Sequence, residues 1–288
     1  MGYFLLLAFV PFLFGGLFGG GDDDENPDDD GPDVNGTEEN DILEGTERAE
    51  DITAGVGNDL VAAWSGNDTV TAGEGDDLVL AEAGDDLVYG GAGNDIVDGG
   101  SGNDTIWLGA GDDQIADDDL GLDPEFDVGP EGDDWISGGD GNDTLLAWEG
   151  EDTLTGELGR DFLMAVDEYG TDEPDVISGG WGMDTLVGDD GDLISGGGNA
   201  DQLHIYNDGG TASSVTISDF DGSSDTLHLD LTQDGFETGQ PDDLTMSIDP
   251  QSGDVTLYFI GQEVAVLTNP KNFDLSQVVL PGWLSPSA

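Results

Sequence analysis

The sequence predicts an all-β fold, a right-handed parallel β-roll (a solenoid) closed by a C-terminal antiparallel β cap. Three observations predict it. Aspartate recurs every nine residues over about half of the chain, an aliphatic residue follows each of these aspartates by two positions, and beyond residue 205 the repeat gives way to the apolar–polar alternation of antiparallel strands. Fixed short periods are typical of solenoids, in which each repeat packs only on its neighbours.

The repeat is a nonapeptide, and fifteen copies of it occur in three runs of seven, four and four, with one step in the last run a residue short. Val, Ile or Leu stands two residues after every repeat aspartate, from Val61 to Leu203, and Gly stands two residues before most of them. The most regular copies read GGAGNDIVD at 90–98, GGSGNDTIW at 99–107 and GGDGNDTLL at 138–146. The repeat aspartates are Asp59, Asp68, Asp77, Asp86, Asp95, Asp104, Asp113, Asp134, Asp143, Asp152, Asp161, Asp175, Asp184, Asp192 and Asp201.

Each nonapeptide predicts one short strand and one turn. The aliphatic side chain points inward and its two neighbours point outward, because side chains alternate along a strand. The Gly- and Asp-rich residues turn the chain, since Gly permits positive φ and Asn and Asp tolerate it. Two such units make a coil of eighteen residues, so we expect alternate repeats to stack in parallel with right-handed crossovers. One inward side chain per nine residues predicts a thin core.

The charge of the chain limits what it binds. Sixty-seven Asp and Glu face three basic residues, Arg48, Arg160 and Lys271, for a net charge of −64. This charge excludes nucleic acid as a partner and opposes compaction, so the expected partners are cations. Such a charge is also typical of disordered chains, an alternative opposed by the 36% hydrophobic content and its regular placement. The chain has no cysteine, which excludes disulfides and thiolate metal sites.

Residues 1–21 are interpreted as an export signal or anchor. Residues 3–18 contain no charge, and their length lies between the core of a signal peptide and a membrane span. No Lys or Arg precedes them, so a cleaved signal and a retained membrane tether both stay open. Residues 22–35 predict an acidic, solvated linker, and we place the roll at 36–204.

Stacked coils would align the repeat aspartates in rows along both edges of the roll, with Asp59 next to Asp77 and Asp68 next to Asp86. Carboxylates in such rows repel each other unless a cation lies between them. A hard cation that accepts about six to eight oxygen ligands in flexible geometry fits this arrangement, which favours Ca²⁺ over Mg²⁺ or Zn²⁺. Fifteen repeats in two rows allow at most thirteen sites between coils.

The nonapeptide resembles the RTX repeat, Gly-Gly-x-Gly-x-Asp-x-aliphatic-x, of the hemolysin-type calcium-binding proteins. The resemblance covers about residues 54–204. It implies that each Ca²⁺ lies between turns of adjacent coils, bound by the carboxylate of the repeat aspartate and by turn carbonyls. The fifteen aspartates are therefore the expected metal ligands, and the resemblance implies a bacterial protein that is secreted or lies at the cell surface. The Asn or Asp that often precedes the repeat aspartate is interpreted mainly as a turn former.

Some positions depart from the repeat. Arg160 precedes Asp161 and predicts a weaker site there, or an ion pair in its place. Met183 and Ala200, at the position of Arg160 in their own repeats, offer no side-chain oxygen. The turn geometry is in question where the second glycine is replaced, at Trp64, Glu82, Trp148 and Glu157.

Interruptions of the repeat predict its loops and its ends. Insertions at about residues 117–132 and 166–174 are interpreted as surface loops. Upstream of the regular copies, Asp41-Ile42-Leu43 and Asp51-Ile52-Thr53 are similar to degenerate repeats that cap the roll.

Residues 205–288 predict the β cap and a type I secretion region. The pattern Ile-x-Asp-Phe followed by Asp-x-Leu-x-Leu resembles, over about residues 215–280, the cap of RTX proteins that leave the cell by type I secretion. That route conflicts with an N-terminal export segment. The expected strands are 215–220, 225–231, 255–260 and 263–267, the last two joined by a hairpin turn at Gly261-Gln262.

No catalytic site is expected. The chain has neither an HExxH zinc motif nor a GxSxG nucleophile elbow, and its two histidines, His204 and His228, follow strand patterns. The predicted function is calcium binding by a non-enzymatic, extracellular protein that folds on binding Ca²⁺. Two alternatives stay open: an adhesin, matrix or ice-binding-like surface protein that uses the roll as a scaffold, and the repeat region of an extracellular hydrolase.

Overall fold

The computed structural model describes residues 33–116, 132–166, 173–206, 214–231 and 244–280. These residues form strands and a single-turn 3-10 helix, Leu275–Gln277. Among them there is no helix of the length and hydropathy that crossing a membrane requires. The predicted export segment, the acidic linker up to residue 32 and most of both insertions lie outside the described residues.

The strands form two sheets, and each coil of the roll contributes one strand to each sheet. The fifteen-stranded first sheet has the spatial order β1 Val34–Asn35, β3 Asp51–Val56, β5 Thr69–Glu74, β7 Leu87–Ala92, β9 Thr105–Ala110, β11 Trp135–Asp140, β13 Thr153–Gly159, β15 Val176–Ser178, β18 Leu193–Ser195, β21 Val215–Ile217, β25 Gln262–Leu267, β24 Val255–Phe259 and β23 Leu244–Ile248, with β16 Trp181–Gly182 and β19 Gly198–Asn199 alongside. The eleven-stranded second sheet has the order β2 Ile42–Thr46, β4 Leu60–Trp64, β6 Leu78–Leu80, β8 Ile96–Asp98, β10 Gln114–Ile115, β12 Thr144–Ala147, β14 Phe162–Ala165, β17 Thr185–Gly188, β20 Gln202–Tyr206, β22 Thr226–Asp230 and β26 Val278–Val279.

The register between neighbouring strands confirms the predicted coil of eighteen residues. Val70 pairs with Val88, and Val61 pairs with Val79, always in parallel. Where residues 117–131 are inserted the step lengthens, so that Ile106 pairs with Ile136, yet the strands stay in phase. The sequence prediction of a parallel β-roll is therefore correct.

The core between the sheets is thicker than the sequence analysis expected. All fifteen aliphatic residues of the repeat are fully buried, as predicted. The expectation of one inward side chain per repeat is wrong, because the residue two positions further along also points inward. This second position holds a buried Ala in several coils, as at Ala63 and Ala72, and larger side chains at Leu108 and Ile205. The second inward position is often Gly or Ala, which made it hard to recognise as part of the core.

The C-terminal cap closes the last coil on both sheets. β25 extends the first sheet in parallel with β21, and β24 and β23 continue it antiparallel, while β26 completes the second sheet. Phe220 is fully buried and meets Phe273 edge-on, with ring centroids 5.7 Å apart. The antiparallel cap was predicted, but β23 and β26 were not. The hairpin turn lies at Ile260 and Gly261, one residue before the predicted pair, with positive φ at both residues.

Candidate metal centre

The repeat aspartates form two continuous ladders inside the turns. Each of the fifteen side chains is at most 3% exposed. One carboxylate oxygen, Oδ1, accepts a hydrogen bond of 2.7–3.0 Å from the backbone N–H of the ladder residue in the preceding coil. The carboxylates therefore lie beneath the turns, pointing into the roll. The structure brings together all fifteen residues that the sequence selected, in the two rows that it predicted.

The second oxygen of most ladder carboxylates is buried without a partner. Within the described residues, Oδ2 accepts no hydrogen bond in twelve of the fifteen repeat aspartates: Asp59, Asp68, Asp77, Asp86, Asp95, Asp104, Asp113, Asp134, Asp143, Asp161, Asp184 and Asp201. Buried polar groups are nearly always paired, because an unpaired buried carboxylate oxygen costs free energy. A repeated series of such oxygens therefore indicates a ligand that the polypeptide itself does not provide.

The glycines of the repeat leave room around these oxygens. A Cβ on Gly90, the first glycine of its repeat, would lie 2.8 Å from Oδ2 of Asp95. A Cβ on Gly91 or Gly93 would overlap the carbonyl oxygen of Gly73 or Gly75 in the preceding coil, and both glycines have positive φ. Bare backbone at these positions thus allows carbonyl oxygens of adjacent coils to approach each other and the turn interior.

Burial raises the pKa of twelve of the repeat aspartates above the ordinary value of 3.8: Asp68, Asp77, Asp86, Asp95, Asp104, Asp113, Asp134, Asp143, Asp161, Asp184, Asp192 and Asp201. Desolvation is the main cause, and neighbouring carboxylates add to it, while the accepted backbone hydrogen bond lowers the pKa in part. The pKa rises to about 7 at Asp86 and Asp95, to about 8 at Asp104 and to about 9 at Asp192. Without a cation, Asp104 and Asp192 hold protons at neutral pH, while Asp86 and Asp95 are about half protonated. A cation must compete with those protons, and once bound it supplies the missing positive charge.

A second, exposed ladder lies one residue before most of the repeat aspartates, at the positions interpreted as turn formers. There, side-chain oxygens accept the backbone N–H of the next coil, at 2.9 Å both from Asn94 to Asp76 and from Asp112 to Asn94. On the other edge, Asn103 lies between Asp85 and Asp133: its backbone N–H donates to the Asp85 carboxylate, and its side-chain oxygen accepts the backbone N–H of Asp133. Neutral and charged residues alternate over these coils, which limits the repulsion between like charges that stack directly above one another.

The ladders extend beyond the residues that the sequence analysis selected. Asp41 and Glu50 donate their backbone N–H groups to Asp59 and Asp68, and Asp225 accepts from Asp201. Glu50 is 2% exposed and lies at the ladder position of the unit that contains the predicted capping repeat Asp51-Ile52-Thr53. The signal was available, because Glu50 stands two residues before the buried Ile52, as every repeat aspartate does before its aliphatic residue.

The departures from the repeat disturb the ladders less than expected. Arg160 donates its backbone N–H to Asn142, and among the described residues its guanidinium forms no ion pair with Asp161, whose Oδ2 stays unpaired. Asp184 and Asp201, which follow Met183 and Ala200, also keep the ladder bond. Three replacements of the second glycine keep its left-handed backbone, with φ of 81° at Trp64, 81° at Glu82 and 73° at Glu157. The turn geometry that the sequence left in question is therefore kept at these three positions.

The donors present fit calcium. In the part of the chain that the structure describes, three or more His, Asp or Glu side chains nowhere converge on one point. A site would therefore combine one or two ladder carboxylates with turn carbonyls. An all-oxygen, partly backbone ligand set of this kind suits Ca²⁺, which tolerates variable geometry and a high coordination number. It does not suit Zn²⁺, which prefers nitrogen and sulfur ligands.

The two histidines lie together on the outer face of the second sheet. His204 pairs with His228 on the neighbouring strand, and the rings stack with centroids 4.3 Å apart and planes within 5°. Burial lowers the pKa of both, and the proximity of His228 lowers that of His204 further. Both rings are thus neutral at physiological pH, as the interpretation of ordinary sheet residues requires.

A known family of repeats matches the chain. The sequence profile of the RTX calcium-binding nonapeptide repeat (4 copies) matches residues 35–70, 44–79, 80–115, 129–163 and 169–192. No curated protein matches the chain.

Solved structures with similarity to the chain include an epimerase subunit and a lipase. The AlgE6R3 subunit of the mannuronan C5-epimerase from Azotobacter vinelandii is 19% identical over 62% of this chain and 83% of its own, with a TM-score of 0.22. The extracellular lipase LipA from Serratia marcescens is 18% identical over 82% of this chain and 39% of its own, with a TM-score of 0.24. The repeat profile and the two carboxylate ladders together place the chain in the RTX family of calcium-binding nonapeptide repeat proteins.

Proposed function

We propose that the chain is a secreted or surface-exposed, non-enzymatic protein whose fifteen repeat aspartates bind rows of Ca²⁺, and that binding and folding are one event. The observation that carries the proposal is the series of buried Oδ2 atoms without partners. A fold that buries so many carboxylates leaves them either protonated or bound to a cation.

The balance of charge supports coupled folding and binding. Thirteen Ca²⁺ would add 26 positive charges and change the net charge from −64 to −38. A ligand present at a hundred times its dissociation constant stabilises the folded state by about 2.7 kcal/mol per site. Several such sites would offset both the remaining repulsion and the cost of burying the carboxylates.

The domain organisation follows from this proposal. Residues 1–21 serve export or anchoring, 22–35 form an acidic linker, 36–204 bind calcium and 205–288 cap the roll and carry a type I secretion region. Extracellular calcium modules typically bind in the range of about 10⁻⁴–10⁻³ M, which is above the calcium concentration of a cytosol. The chain would then stay largely unfolded inside the cell and fold outside it.

A calcium titration of the full chain tests the proposal. In EDTA we expect a disordered circular dichroism spectrum and an expanded radius of gyration. Millimolar Ca²⁺ should produce β structure and compaction with a steep midpoint, since each coil stacks on a neighbour that is already ordered. Mg²⁺ at the same concentration is the matched control and should do much less, because it requires near-octahedral geometry and dehydrates reluctantly. A compact fold in EDTA that calcium leaves unchanged would overturn the proposal.

The non-enzymatic part of the proposal rests on how the titratable side chains are used. The carboxylates of the repeat aspartates already take part in the ladders, and His204 stacks on His228. The structurally similar proteins include an epimerase and a lipase, so the calcium-loaded chain should be assayed with mannuronan and with short-chain esters. Turnover of either substrate, lost on addition of EDTA, would contradict this part of the proposal and leave calcium binding intact.

A further inference from the structure

Sixteen of the eighteen ladder carboxylates fall into two groups, which differ in what their second oxygen meets. In the twelve repeat aspartates described above, Oδ2 is unpaired. In four other ladder residues, a backbone N–H from the same turn bonds the second oxygen. The bonds run from Thr37 to Asp41 at 2.6 Å, from Thr46 to Glu50 at 2.9 Å, from Asp189 to Asp192 at 2.7 Å and from Asp221 to Asp225 at 2.7 Å. The polypeptide itself thus supplies the donor that the other carboxylates lack.

The two groups also differ in the backbone at the donor position, which lies four residues before the ladder carboxylate, or three in the shortened turn of Asp192. Thr37, Thr46, Asp189 and Asp221 have φ outside the positive range. For eleven of the twelve unpaired aspartates, the residue four positions earlier is described and has φ between 73° and 123°: Gly55, Trp64, Gly73, Glu82, Gly91, Gly100, Gly109, Gly139, Glu157, Gly180 and Gly197.

Trp64 and Trp148 both occupy this position but differ in φ, so they show whether the residue type or the backbone angle correlates with an unpaired oxygen. Trp64 has φ of 81°, and Asp68 is one of the twelve with an unpaired oxygen. Trp148 does not have positive φ, and Asp152 is not one of the twelve. The correlation therefore follows the backbone angle and not the presence of glycine. The physical reason is that φ sets the direction of the residue's own N–H relative to the turn that follows.

We infer that the backbone at the residue four positions before each ladder carboxylate decides whether that carboxylate is open to a cation or closed by the protein. The inference rests on the proposed calcium binding and narrows it. Asp41, Glu50, Asp152, Asp192 and Asp225 are structural carboxylates, and the twelve with unpaired oxygens are the ion ligands. Closed carboxylates at both ends let the ladders terminate without an ion on an outermost coil, where one of the two neighbouring turns is missing.

Substitution of two ladder aspartates tests this assignment directly. Asn keeps a side-chain oxygen for the ladder hydrogen bond but removes the charge. Asp95→Asn should lower the number of Ca²⁺ bound by the full chain by one, and Asp192→Asn should leave it unchanged, as counted by equilibrium dialysis and atomic absorption. Equal losses in both variants would overturn the inference while leaving calcium binding established. No calcium bound to the unsubstituted chain would instead overturn the proposed function.

A second pair of variants changes the backbone preference four residues before a ladder carboxylate and leaves the carboxylate itself in place. Trp148→Gly makes positive φ accessible before Asp152, so one additional Ca²⁺ should bind. Trp64→Gly removes the same side chain at a position that is already left-handed, and the number of ions should not change. Thr46→Gly, with Thr46→Ser as its control, repeats the test at Glu50 in case the Trp148 variant does not fold. Identical ion counts in Trp148→Gly, Trp64→Gly and Thr46→Gly would contradict the inference.

Discussion

The backbone N–H of Asp77 donates a hydrogen bond of 3.0 Å to Oδ1 of Asp95, the corresponding residue of the next coil. This bond joins two carboxylate-bearing residues that repulsion alone would drive apart. The rest of the Asp95 carboxylate, its buried Oδ2, is left without a partner among the described residues. Asp95 and the other eleven repeat aspartates with an unpaired Oδ2 therefore have two separable tasks, to accept a backbone hydrogen bond and to present a free oxygen.

Substitutions at Asp95 should separate these tasks. Asp95→Asn keeps an acceptor for the Asp77 N–H and should weaken calcium binding with little other change. Asp95→Ala should weaken binding as much and also leave that N–H buried and unpaired, at a further cost of about 1–3 kcal/mol. Urea unfolding in saturating Ca²⁺ measures the difference. Equal stability of the two variants would show that the ladder hydrogen bond contributes nothing.

The calcium-free chain should be more folded in mild acid than in mild alkali. Asp86, Asp95 and Asp104 have pKa values of about 7, 7 and 8 in the folded state, compared with about 3.9 for an unfolded Asp. Because the folded pKa is the higher one, their contribution to stability is fully present below about pH 4 and is lost as the pH rises through 7 to 8. Circular dichroism in EDTA between pH 4 and pH 8.5 should show β structure that decreases with rising pH.

The same shifts predict that protons compete with calcium. The midpoint of the calcium titration should move to lower Ca²⁺ concentration as the pH rises from 6 to 8, since fewer ladder carboxyls hold a proton. A midpoint that does not depend on pH would indicate that the carboxyls are already ionised in the calcium-free state.

Two substitutions at the second glycine position should act in opposite directions. Glu82 has φ of 81°, so Glu82→Gly should stabilise the calcium-loaded fold by about 1 kcal/mol by relieving left-handed strain. Gly91 has φ of 120°, and a Cβ there would overlap the carbonyl oxygen of Gly73, so Gly91→Ala should destabilise it. Thermal unfolding at fixed Ca²⁺ compares the two. A stabilised Gly91→Ala would contradict the described turn.

The cap should contribute to the stability of the whole roll through Phe220. This side chain is fully buried against Phe273, and Phe220→Ala should cost about 3–5 kcal/mol and raise the Ca²⁺ concentration needed for folding. Phe162 lies half-buried on the outer side of β14, so Phe162→Ala is the matched control and should cost less. Similar losses would indicate that the cap is not coupled to the repeats.

The sequence by itself determined the coil, the ladders and the kind of ion. A period of nine with an aliphatic residue two positions after each aspartate leaves few other ways to bury Val61 through Leu203 on one side. Stacking then places the carboxylates in rows. These features repeat many times, and a repeated local pattern is specified redundantly, so a departure such as Arg160 does not change the register.

Only the tertiary structure decided what each carboxylate meets. Asp152 and Asp192 carry the same repeat aspartate as Asp95, yet their second oxygens are not unpaired like that of Asp95. Trp64 and Trp148 are the same residue at the same repeat position with different backbone angles. The angle depends on the turn stacked above and below, because neighbouring coils share hydrogen bonds and carbonyl contacts across the ladder. A pattern read along one chain segment does not contain that information, and only the packing of successive coils supplies it.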